Sequence, residues 1–447
     1  MAWALQRAHH GEQPYWMAIA LAAMLGQIGL RGGGFAFGHG SMNGVGNPRI
    51  DVPSPEFTTG PNPAGRAIPV ARLTDMLEKP GAPFHFNGRQ DTYPDIDLIY
   101  WAGGNPFHHH QDLNRLTRAW HKPATVVVHE SWWTPTARRA DIVLPATTPL
   151  ERNDIGGSSR DPFIFAMQQA IAPVGGSRDD FDIFRELAAR GGHEPAFSEG
   201  RDTEAWLREL WRRVCTSAAD GGVALPAYEE FLARGWVELP APVRDYVMFD
   251  AFRADPLAHP LRTPSGRIEL VSPTIRSFGY VDCPAHPTWL PPVEWLGAAA
   301  VSRFPLHLIT IQPPDRLHSQ MDPGPVSQAR KVAGRERIAI NPADAQARGL
   351  SNGDLAHVFN NRGACLAGVA LDAGLMSGVV VMATGAWFDP ASDGLERGGN
   401  PNVLSLDIGT SSLTQGPSAL SVLVEVARWI GTAPEVQAYR VPRIESA

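Results

Sequence analysis

Three short apolar runs lie in residues 97–146, and their pattern restricts the possible fold more than any other feature of the chain. The runs are DLIYWA, ATVVVHE and DIVLPA. Between the first two, HHHQDLNRLTRAW has the spacing of a helix, and PTARRA before the third allows one helical turn. Strands that alternate with helices form a parallel sheet with crossover helices. We therefore predict a doubly wound α/β domain that binds ligands outside the carboxyl ends of its strands.

The composition is that of a folded globular protein, with 43% hydrophobic and 19% charged residues. The formal net charge is -7, and the interspersed charges leave no basic face for nucleic acid. Cys215, Cys283 and Cys365 are too far apart for a disulfide framework or a CxxC metal site. The apolar stretch YWMAIALAAMLGQIGL is too short to span a membrane, and we predict a buried helix there. We expect a cytoplasmic rather than a periplasmic location.

The chain divides into three predicted domains. Residues 1–180 hold the α/β unit, an N-terminal helix and a glycine-rich loop. Residues 181–302 hold two helices, FDIFRELAARGG and DTEAWLRELWRRV, and a strand in TPSGRIELVS. In residues 303–447, short apolar runs broken by Gly, Asn and Pro predict a β-barrel.

The tetrapeptide GGNP, residues 103–106, follows the first predicted strand. Glycines let backbone amides approach a ligand, and a following helix directs its positive end at an anion, so a phosphate or diphosphate fits here. A tight strand-to-helix turn with no ligand is the alternative, and the tetrapeptide alone favours it. Glu130 ends the second strand, where such sheets often carry an acid that binds ribose. Asp141 could act in the same way or cap the third strand.

The three histidines at 108–110 do not predict a metal centre. Neighbouring helical positions point about 100° apart, so the three rings cannot converge on one ion. Neutral imidazoles in a first helical turn can instead cap, stack or bind a phosphate. A second polar group in QPPDRLHSQM, formed by Arg316, His318, Ser319 and Gln320, suits a large ligand with many heteroatoms. A plain surface loop is the alternative there.

Several segments together resemble one family, the molybdopterin guanine dinucleotide oxidoreductases of the dimethyl sulfoxide reductase type. The resemblance rests on WALQRAHHGEQPYWMAIALAAMLGQIGLRGGGF, IYWAGGNPFHHHQDLNRL, HESWWTPTARRADIVLPATTPLERNDIGG, TPSGRIEL, RLHSQM and GNPNVLSLDIGTSSLTQGPSA. These segments occur in the family's order and cover nearly the whole chain. Within the family, the chain is most similar to the branch of biotin sulfoxide, trimethylamine N-oxide and dimethyl sulfoxide reductases, which share ERNDI.

The resemblance implies a bis(molybdopterin guanine dinucleotide) molybdenum cofactor and a double-psi form of the C-terminal barrel. One guanosine diphosphate is then expected to contact Gly103, Gly104, Asn105, Pro106, His129, Glu130 and Ser131, with Asp180 at the guanine edge. The expected cofactor contacts of the barrel domain are Arg316, His318, Ser319, Gln320, Asn402, Gln415 and Gly416. Trp3 and Arg7 resemble a pair on the substrate side of the metal.

The implied reaction is reduction of a sulfoxide or N-oxide by oxygen-atom transfer, with electrons from an external donor. Arg7 is expected to polarise the leaving oxygen and Trp3 to wall the pocket. No residue here matches the family's serine ligand to molybdenum. We therefore expect the chain to be the C-terminal part of such an enzyme, with a separately encoded N-terminal half as a partner. Arg31 stands where relatives have proline, which affects a loop turn.

Two other functions compete with this one. The chain could be a cofactor-binding module without catalysis. A nicotinamide-dependent dehydrogenase is the third candidate, but the absence of GxGxxG and the predicted barrel argue against it. On the leading interpretation, we expect the purified chain alone neither to bind the molybdenum cofactor nor to reduce a sulfoxide, because missing interdomain surface leaves apolar patches exposed.

Overall fold

A computed structural model describes residues 1–38, 52, 55–57, 60–158, 161–240 and 245–442. Within them the α-helices are α1 (Glu12–Met24), α2 (Leu73–Glu78), α3 (Pro106–His109), α4 (Leu113–Trp120), α5 (Asp180–Arg190), α6 (Glu194–Ser198), α7 (Thr203–Asp220), α8 (Tyr228–Arg234), α9 (Asp250–Ala254), α10 (Pro273–Phe278), α11 (Pro325–Arg330) and α12 (Pro342–Gln346). The strands are β1 (Pro83–Phe86), β2 (Arg89–Thr92), β3 (Leu98–Ala102), β4 (Thr125–Glu130), β5 (Ile142–Pro145), β6 (Asp154–Gly157), β7 (Phe163–Met167), β8 (Trp236–Glu238), β9 (Leu306–Ile311), β10 (Arg337–Ile340), β11 (Leu355–Phe359), β12 (Ala364–Leu371), β13 (Val379–Ala383) and β14 (Leu423–Arg428).

The parallel sheet predicted in residues 97–146 is confirmed. Strands β3, β4 and β5 pair in that order, and both pairs are parallel. The single helix expected after β3 is wrong, because α3 covers only four residues and α4 starts anew. Asp112 separates the two helices with a left-handed backbone (φ 43°), and its side chain accepts a hydrogen bond from the Arg115 amide. This capping bond satisfies an amide that α4 leaves free, so a second helix begins there.

The C-terminal barrel is also confirmed. Six strands close it in the order β10-β12-β11-β14-β9-β13. The inward positions of β9 and β10 carry Leu306, Leu308, Ile338 and Ile340, all at most 1% exposed. This alternation of buried and partly exposed residues is what a closed barrel requires. The double-psi connectivity stays a prediction.

One hydrophobic cluster joins the parallel sheet to the barrel. Phe107, from α3, is fully buried, and its ring stacks on Phe388 at 5.9 Å and 4°. The Arg139 guanidinium lies 4.6 Å from the Phe107 ring centroid, and the Arg139 carbonyl accepts a hydrogen bond from Trp120 Nε1. Full burial of a phenylalanine stabilises a fold by about 2–3 kcal/mol. Phe107 therefore fixes the turn before α3 against the barrel.

A second cluster packs α7 and α8 on the antiparallel sheet β6-β7-β8. Two helices expected in this region are confirmed as α5 and α7. The strand expected in TPSGRIELVS is wrong, because residues 263–272 form turns and bends. There Thr263 Oγ1 donates to the Arg267 carbonyl and Glu269 Oε1 accepts from the Ser265 amide. These local bonds occupy polar groups that a strand would pair with a neighbour. The three domain boundaries stay a prediction.

The apolar N-terminal helix is not buried as expected. Only Gln13, Ala20 and Ala22 of α1 are buried, whereas Leu21 and Met24 are 52% and 77% exposed. Apolar residues lie all round α1, so the sequence indicates no buried face. Among the described residues, no helix has both the length and the hydropathy needed to cross a bilayer. The expectation for the cysteines is confirmed, since all three are free.

Candidate functional site

The GGNP turn after β3 has a backbone that glycine adopts at low cost. Gly103 and Gly104 have φ values of 79° and 82°, where other residues are strained. A Cβ atom on Gly103 would meet nothing within 4 Å, so its backbone angle, and not a neighbour, calls for glycine. Both glycines are exposed, whereas Asn105 and Pro106 are buried at the start of α3. The turn thus presents its first half at the surface and fixes its second half in the core.

Four buried polar atoms around this turn lack a hydrogen-bond partner among the described residues. They are Trp101 Nε1, Asn105 Nδ2, His108 Nδ1 and Gln111 Oε1. The Asn105 amide is oriented by Thr136, whose Oγ1 donates to Asn105 Oδ1 at 2.6 Å. Each unsatisfied buried group costs about 1–3 kcal/mol. Four such groups in eleven residues therefore make this turn a candidate ligand site.

The expected helix dipole is weak at this turn, which corrects one argument from the sequence. A dipole that attracts a diphosphate needs several aligned peptide groups, and α3 has only four residues. Side-chain N–H groups take its place, because Trp101 and Asn105 both offer a donor.

The histidines of α3 meet a histidine from the barrel. The His318 ring lies 5.6 Å from the His108 ring and 5.7 Å from the His109 ring. Burial, together with the neighbouring His109, His318 and Arg316, lowers the pKa of His108 to about 3. Burial also lowers the pKa values of His109 and His318, with the charge of Arg7 adding to both. We call His108, His109 and His318 the histidine cluster, and it is uncharged at neutral pH.

The third histidine of the triplet, His110, is buried, and burial lowers its pKa to about 4. In the part of the chain that the structure describes, no group of three or more His, Cys, Asp or Glu residues could hold a metal ion.

Arg316 was expected to contact the cofactor, but its donors are used inside the protein. Its side chain is 1% exposed. The guanidinium donates to the His318 carbonyl at 3.2 Å, to Ser327 Oγ at 2.9 Å, and to both Glu336 Oε2 and the Thr384 carbonyl. A buried charge needs this many partners. Arg316 therefore holds the loop that carries His318, and its direct contact with the cofactor stays a prediction.

The loop around His318 has an unusual backbone that a glycine helps to fix. His318 has a φ of 53°, which costs free energy in a residue with a side chain. A Cβ on Gly385 would lie 2.6 Å from the His318 carbonyl carbon and closer still to its oxygen. The Ser319 carbonyl accepts a hydrogen bond from Trp387 Nε1 at 2.9 Å, while the Gln320 side chain belongs to an exposed residue.

Asn402 links the barrel domain directly to the triplet, since its Nδ2 donates to the His108 carbonyl at 2.6 Å. It follows a second GGNP tetrapeptide, residues 398–401. There the amides of Gly398, Gly399 and Asn400 donate to the carboxylate of Glu396, which is fully buried. The two tetrapeptides differ at the first glycine, because only Gly399 of the second has a positive φ, at 89°. Sequence reasoning missed this repeat, although the repeated tetrapeptide was the available signal.

The residues at the end of β4 form a separate group. His129 has partners at both ring nitrogens: Tyr100 OH lies 2.6 Å from Nε2, and Asp180 Oδ1 lies 2.8 Å from Nδ1. Its ring also stacks on Phe184 at 4.8 Å. His129 is therefore occupied within the protein and orients Asp180, whose side chain is 49% exposed. No sequence pattern indicated the role of Tyr100.

The side chains of Glu130 and Ser131 form hydrogen bonds with residues that follow β4 and β5. The Glu130 carboxylate accepts from the Ser131 amide and from Thr134 Oγ1, and burial raises its pKa. Ser131 Oγ donates to the Ala146 carbonyl at 2.9 Å. Asp141 caps the sheet, because its Oδ2 accepts from the Val126 amide at 2.7 Å. The capping alternative for Asp141 therefore describes its contact in the fold.

A polar cavity of about 490 Å³ opens beyond the carboxyl end of β5. Its lining includes Thr147, Arg152, Asp179 and Asp182. Thr147 Oγ1 donates to Asp179 Oδ1 at 2.7 Å, so the two sides of the cavity are joined. Glu151 also lines the cavity, and its carboxylate accepts four hydrogen bonds. These bonds lower the pKa of Glu151 to about 2.

Gln415 and Gly416 lie in a loop that packs on the start of α1. Gln415 Nε2 donates to the His85 carbonyl at 2.9 Å, and the Gly416 amide donates to Thr410 Oγ1. Thr410 Oγ1 in turn donates to Glu12 Oε1 at 2.6 Å. Glu12 Oε2 is buried without a partner among the described residues. A free acceptor beside the two expected cofactor residues suits a ligand with N–H groups.

Trp3 and Arg7 belong to one short 3-10 helix, Trp3–Arg7. The Trp3 ring meets Phe37 edge-on at 5.5 Å. The Arg7 carbonyl accepts from the Leu420 amide, and the Arg7 side chain belongs to an exposed residue. The Arg7 charge lowers the pKa values of His109 and His318, so Arg7 lies near the histidine cluster.

Two family models match most of the chain. The model described as "Molybdopterin oxidoreductase" matches residues 1–190, and the model described as "Molydopterin dinucleotide binding domain" matches residues 306–423. Acetylene hydratase from Pelobacter acetylenicus has a similar fold, with a TM-score of 0.57 over 75% of this chain and 45% of that chain, at 22% identity.

Curated relatives agree with these models. The chain is 49% identical to biotin sulfoxide reductase from Cereibacter sphaeroides, over 97% of this chain and 58% of the relative. It is 44% identical to a dimethyl sulfoxide/trimethylamine N-oxide reductase from the same organism and 41% identical to trimethylamine-N-oxide reductase from Haemophilus influenzae, each over 99% of this chain and 56% of the relative. The chain thus spans little more than half the length of these relatives, and its expected C-terminal position stays a prediction. On the two family models and these relatives, the chain belongs to the molybdopterin oxidoreductases.

Proposed function

We propose that this chain forms part of a sulfoxide or N-oxide reductase and holds a molybdopterin guanine dinucleotide between the GGNP turn and the histidine cluster. The observation that carries the proposal is the group of unpaired buried atoms at Trp101, Asn105, His108 and Gln111. The names of the relatives support the substrate class.

The residues fit the diphosphate part of such a cofactor. Phosphate oxygens accept hydrogen bonds, and Trp101 Nε1 and Asn105 Nδ2 are donors without partners. The space beside Gly103 is open, so a ligand can approach the backbone. The second GGNP turn offers an internal precedent, since three of its amides donate to the Glu396 carboxylate. A turn of this sequence can therefore surround an anion in this protein.

We further propose that the nucleotide base occupies the polar cavity beyond β5. Ligands of parallel sheets bind outside the carboxyl ends of the strands, and Thr147 follows β5 by two residues. Asp179 lines the cavity, and Asp180 is the next residue in the chain. Carboxylates accept the N–H groups of a guanine edge.

When bound, the cofactor supplies two-electron oxygen-atom transfer, in which a sulfoxide or N-oxide, two electrons and two protons give a sulfide or amine and water. The chain's own residues bind and orient. Arg7 is exposed and lies near the histidine cluster, so its guanidinium can donate to the substrate oxygen as negative charge develops there. Trp3 packs on Phe37 and limits access of water on that side.

Binding of guanosine diphosphate to the purified chain, measured by titration calorimetry, tests the cofactor site. Trp101→Phe removes one N–H and keeps an apolar ring, so it should weaken binding roughly tenfold or more. Trp206→Phe is the matched control, because Trp206 Nε1 is another buried atom without a partner among the described residues and lies in α7. Equal binding by the two variants would remove Trp101 from the site.

Sulfoxide reduction with a reduced viologen dye tests the role of Arg7. Arg7→Leu, in a reductase that contains this chain, should lower turnover strongly. Arg31→Leu is the control, since Arg31 forms an exposed ion pair with Asp245 and is not among the charges that lower the pKa values of the histidine cluster. Unchanged turnover in Arg7→Leu would exclude the proposed role. If guanosine diphosphate binds to the chain but the reductase that contains the chain reduces no sulfoxide, a cofactor-binding module without catalysis is favoured instead.

A further inference from the structure

Glu396 is a buried carboxylate that neither the sequence motifs nor the proposed reaction uses. It is 0% exposed. Its Oε1 accepts from the amides of Asp389 and Gly398, and its Oε2 accepts from those of Gly399 and Asn400 at 2.6 and 2.7 Å. Four amide donors are what the two oxygens of a carboxylate can accept. Glu396 therefore fixes the backbone of the second GGNP turn.

The barrel holds Glu396 itself in place. Its amide donates to the Ala364 carbonyl and its carbonyl accepts from the Leu366 amide, so its backbone adds to the edge of β12. The Glu396 carboxylate, which holds the second GGNP turn, is thus attached to a strand of the barrel.

A first chain of contacts runs from this turn to the triplet. Asn400 Oδ1 accepts from the Asn402 amide at 2.9 Å, and Asn400 Nδ2 donates to the Ala386 carbonyl. Asn402 Nδ2 then donates to the His108 carbonyl at 2.6 Å. We call this chain, Glu396–Asn400–Asn402–His108, the first arm.

A second chain of contacts runs to the other side of the histidine cluster. The Glu336 amide donates to the Gly398 carbonyl at 2.9 Å. Glu336 Oε2 accepts from Arg316, and Arg316 Nε donates to the His318 carbonyl. We call this chain, Glu396–Gly398–Glu336–Arg316–His318, the second arm. Gly399 fits tightly between the arms, since a Cβ there would lie 2.8 Å from Glu336 Cβ.

We propose that Glu396 is a positioning residue, which holds both His108 and His318 in their relative places through these two arms. The two histidines come from different parts of the chain, so their separation depends on the elements behind them. Glu396 is the point at which the two arms meet. Its importance for cofactor binding rests on the proposed function, whereas its positioning role does not.

Hydrogen exchange of the purified chain, followed by mass spectrometry, tests this role without a ligand. In Glu396→Gln, one oxygen becomes an NH₂ group that faces amide donors, so residues 398–402 should exchange roughly tenfold or more faster. The same increase should reach residues 105–111 and 315–322. Burial raises the pKa of Glu396 to about 7, and the amide donors oppose that rise, so the experiment is run at pH 8.

Asp344→Asn is the matched control. Asp344 also holds a barrel loop through its carboxylate, by accepting from Ser377 Oγ and from the Gly378 amide. It belongs to neither arm, so residues 105–111 and 315–322 should exchange as in the wild type. Faster exchange confined to 398–402 in Glu396→Gln would overturn the proposal.

Single-arm variants keep the test decisive if Glu396→Gln does not fold. Asn402→Ala breaks the first arm and should speed exchange in residues 105–111 but not in 315–322. Glu336→Gln breaks the second arm and should speed exchange in residues 315–322 but not in 105–111. If each variant changed both segments alike, the two arms would be refuted. Because no nucleotide is present, a failure here is distinct from a failure of guanosine diphosphate to bind.

Discussion

Gly385 is the position at which one added methyl group should act most directly on the His318 loop. Its φ is 96°, and a Cβ would lie 2.6 Å from the His318 carbonyl carbon. Backbone atoms cannot rotate away, so the alanine variant must move the loop that Arg316 holds. The backbone angle alone costs about 1–2 kcal/mol. The overlap adds about 1–3 kcal/mol.

Gly394 separates these two costs. Its φ is 87°, and a Cβ there would meet nothing within 4 Å. Gly394→Ala therefore carries the strain of the backbone angle without the overlap. Urea unfolding should give a loss of about 1–2 kcal/mol for Gly394→Ala and about 2–5 kcal/mol for Gly385→Ala.

Guanosine diphosphate binding provides the second readout for the pair. Gly385→Ala displaces His318 and should weaken binding, whereas Gly394→Ala should leave binding unchanged. If the two variants lose equal stability and bind equally, the close contact between Gly385 and His318 does not shape the site.

Three further predictions concern stability and thiol chemistry. The pKa of Glu151 is lowered to about 2 from 4.5, so its stabilisation is complete above pH 4.5 and is lost as pH falls toward 2. Glu151→Gln should lower the urea midpoint at pH 7, with a gap to the wild type that closes near pH 2. Burial raises the pKa of all three thiols, but Cys215 is only half-buried, whereas Cys283 and Cys365 are buried. A disulfide reagent at pH 8 should therefore modify Cys215 in the native chain and all three thiols only in denaturant; fast modification of all three in the native chain would contradict this. Phe231 is fully buried and stacks on a tryptophan at 3.9 Å, so Phe231→Ala should cost about 3–5 kcal/mol in urea unfolding, and a loss under 1 kcal/mol would contradict the packing.

The sequence predicted those parts of the fold in which periodicity and burial agree. The central strand β4 reads as a continuous apolar run because four of its six residues are buried. The apolar runs of β3 and β5 were also recognisable, although both strands carry exposed residues. The barrel was predictable from short apolar runs separated by turn residues. TPSGRIELVS was misread because its polar side chains bond to their own backbone, which a pattern of apolar residues does not indicate.

The site was partly predictable for a similar reason. Gly103 was recognisable, since a turn between a strand and a helix calls for glycine, and His318 belonged to a polar group that was predicted to suit a large ligand. Arg316 was assigned a cofactor contact because its donors suit a ligand with many heteroatoms and because its segment resembles the family. The sequence did not indicate its partners within the protein, which are distant in the chain. Glu396 was missed because a single glutamate in a glycine-rich stretch carries no pattern. Only the fold reveals that two arms start from it.

The proposed cofactor site can be tested by hydrogen exchange of the chain with and without guanosine diphosphate. We expect slower exchange on binding in residues 101–111 and 315–322, where the GGNP turn and the histidine cluster lie. Binding that slows exchange only elsewhere, or that leaves both segments unchanged, would contradict the proposed cofactor site.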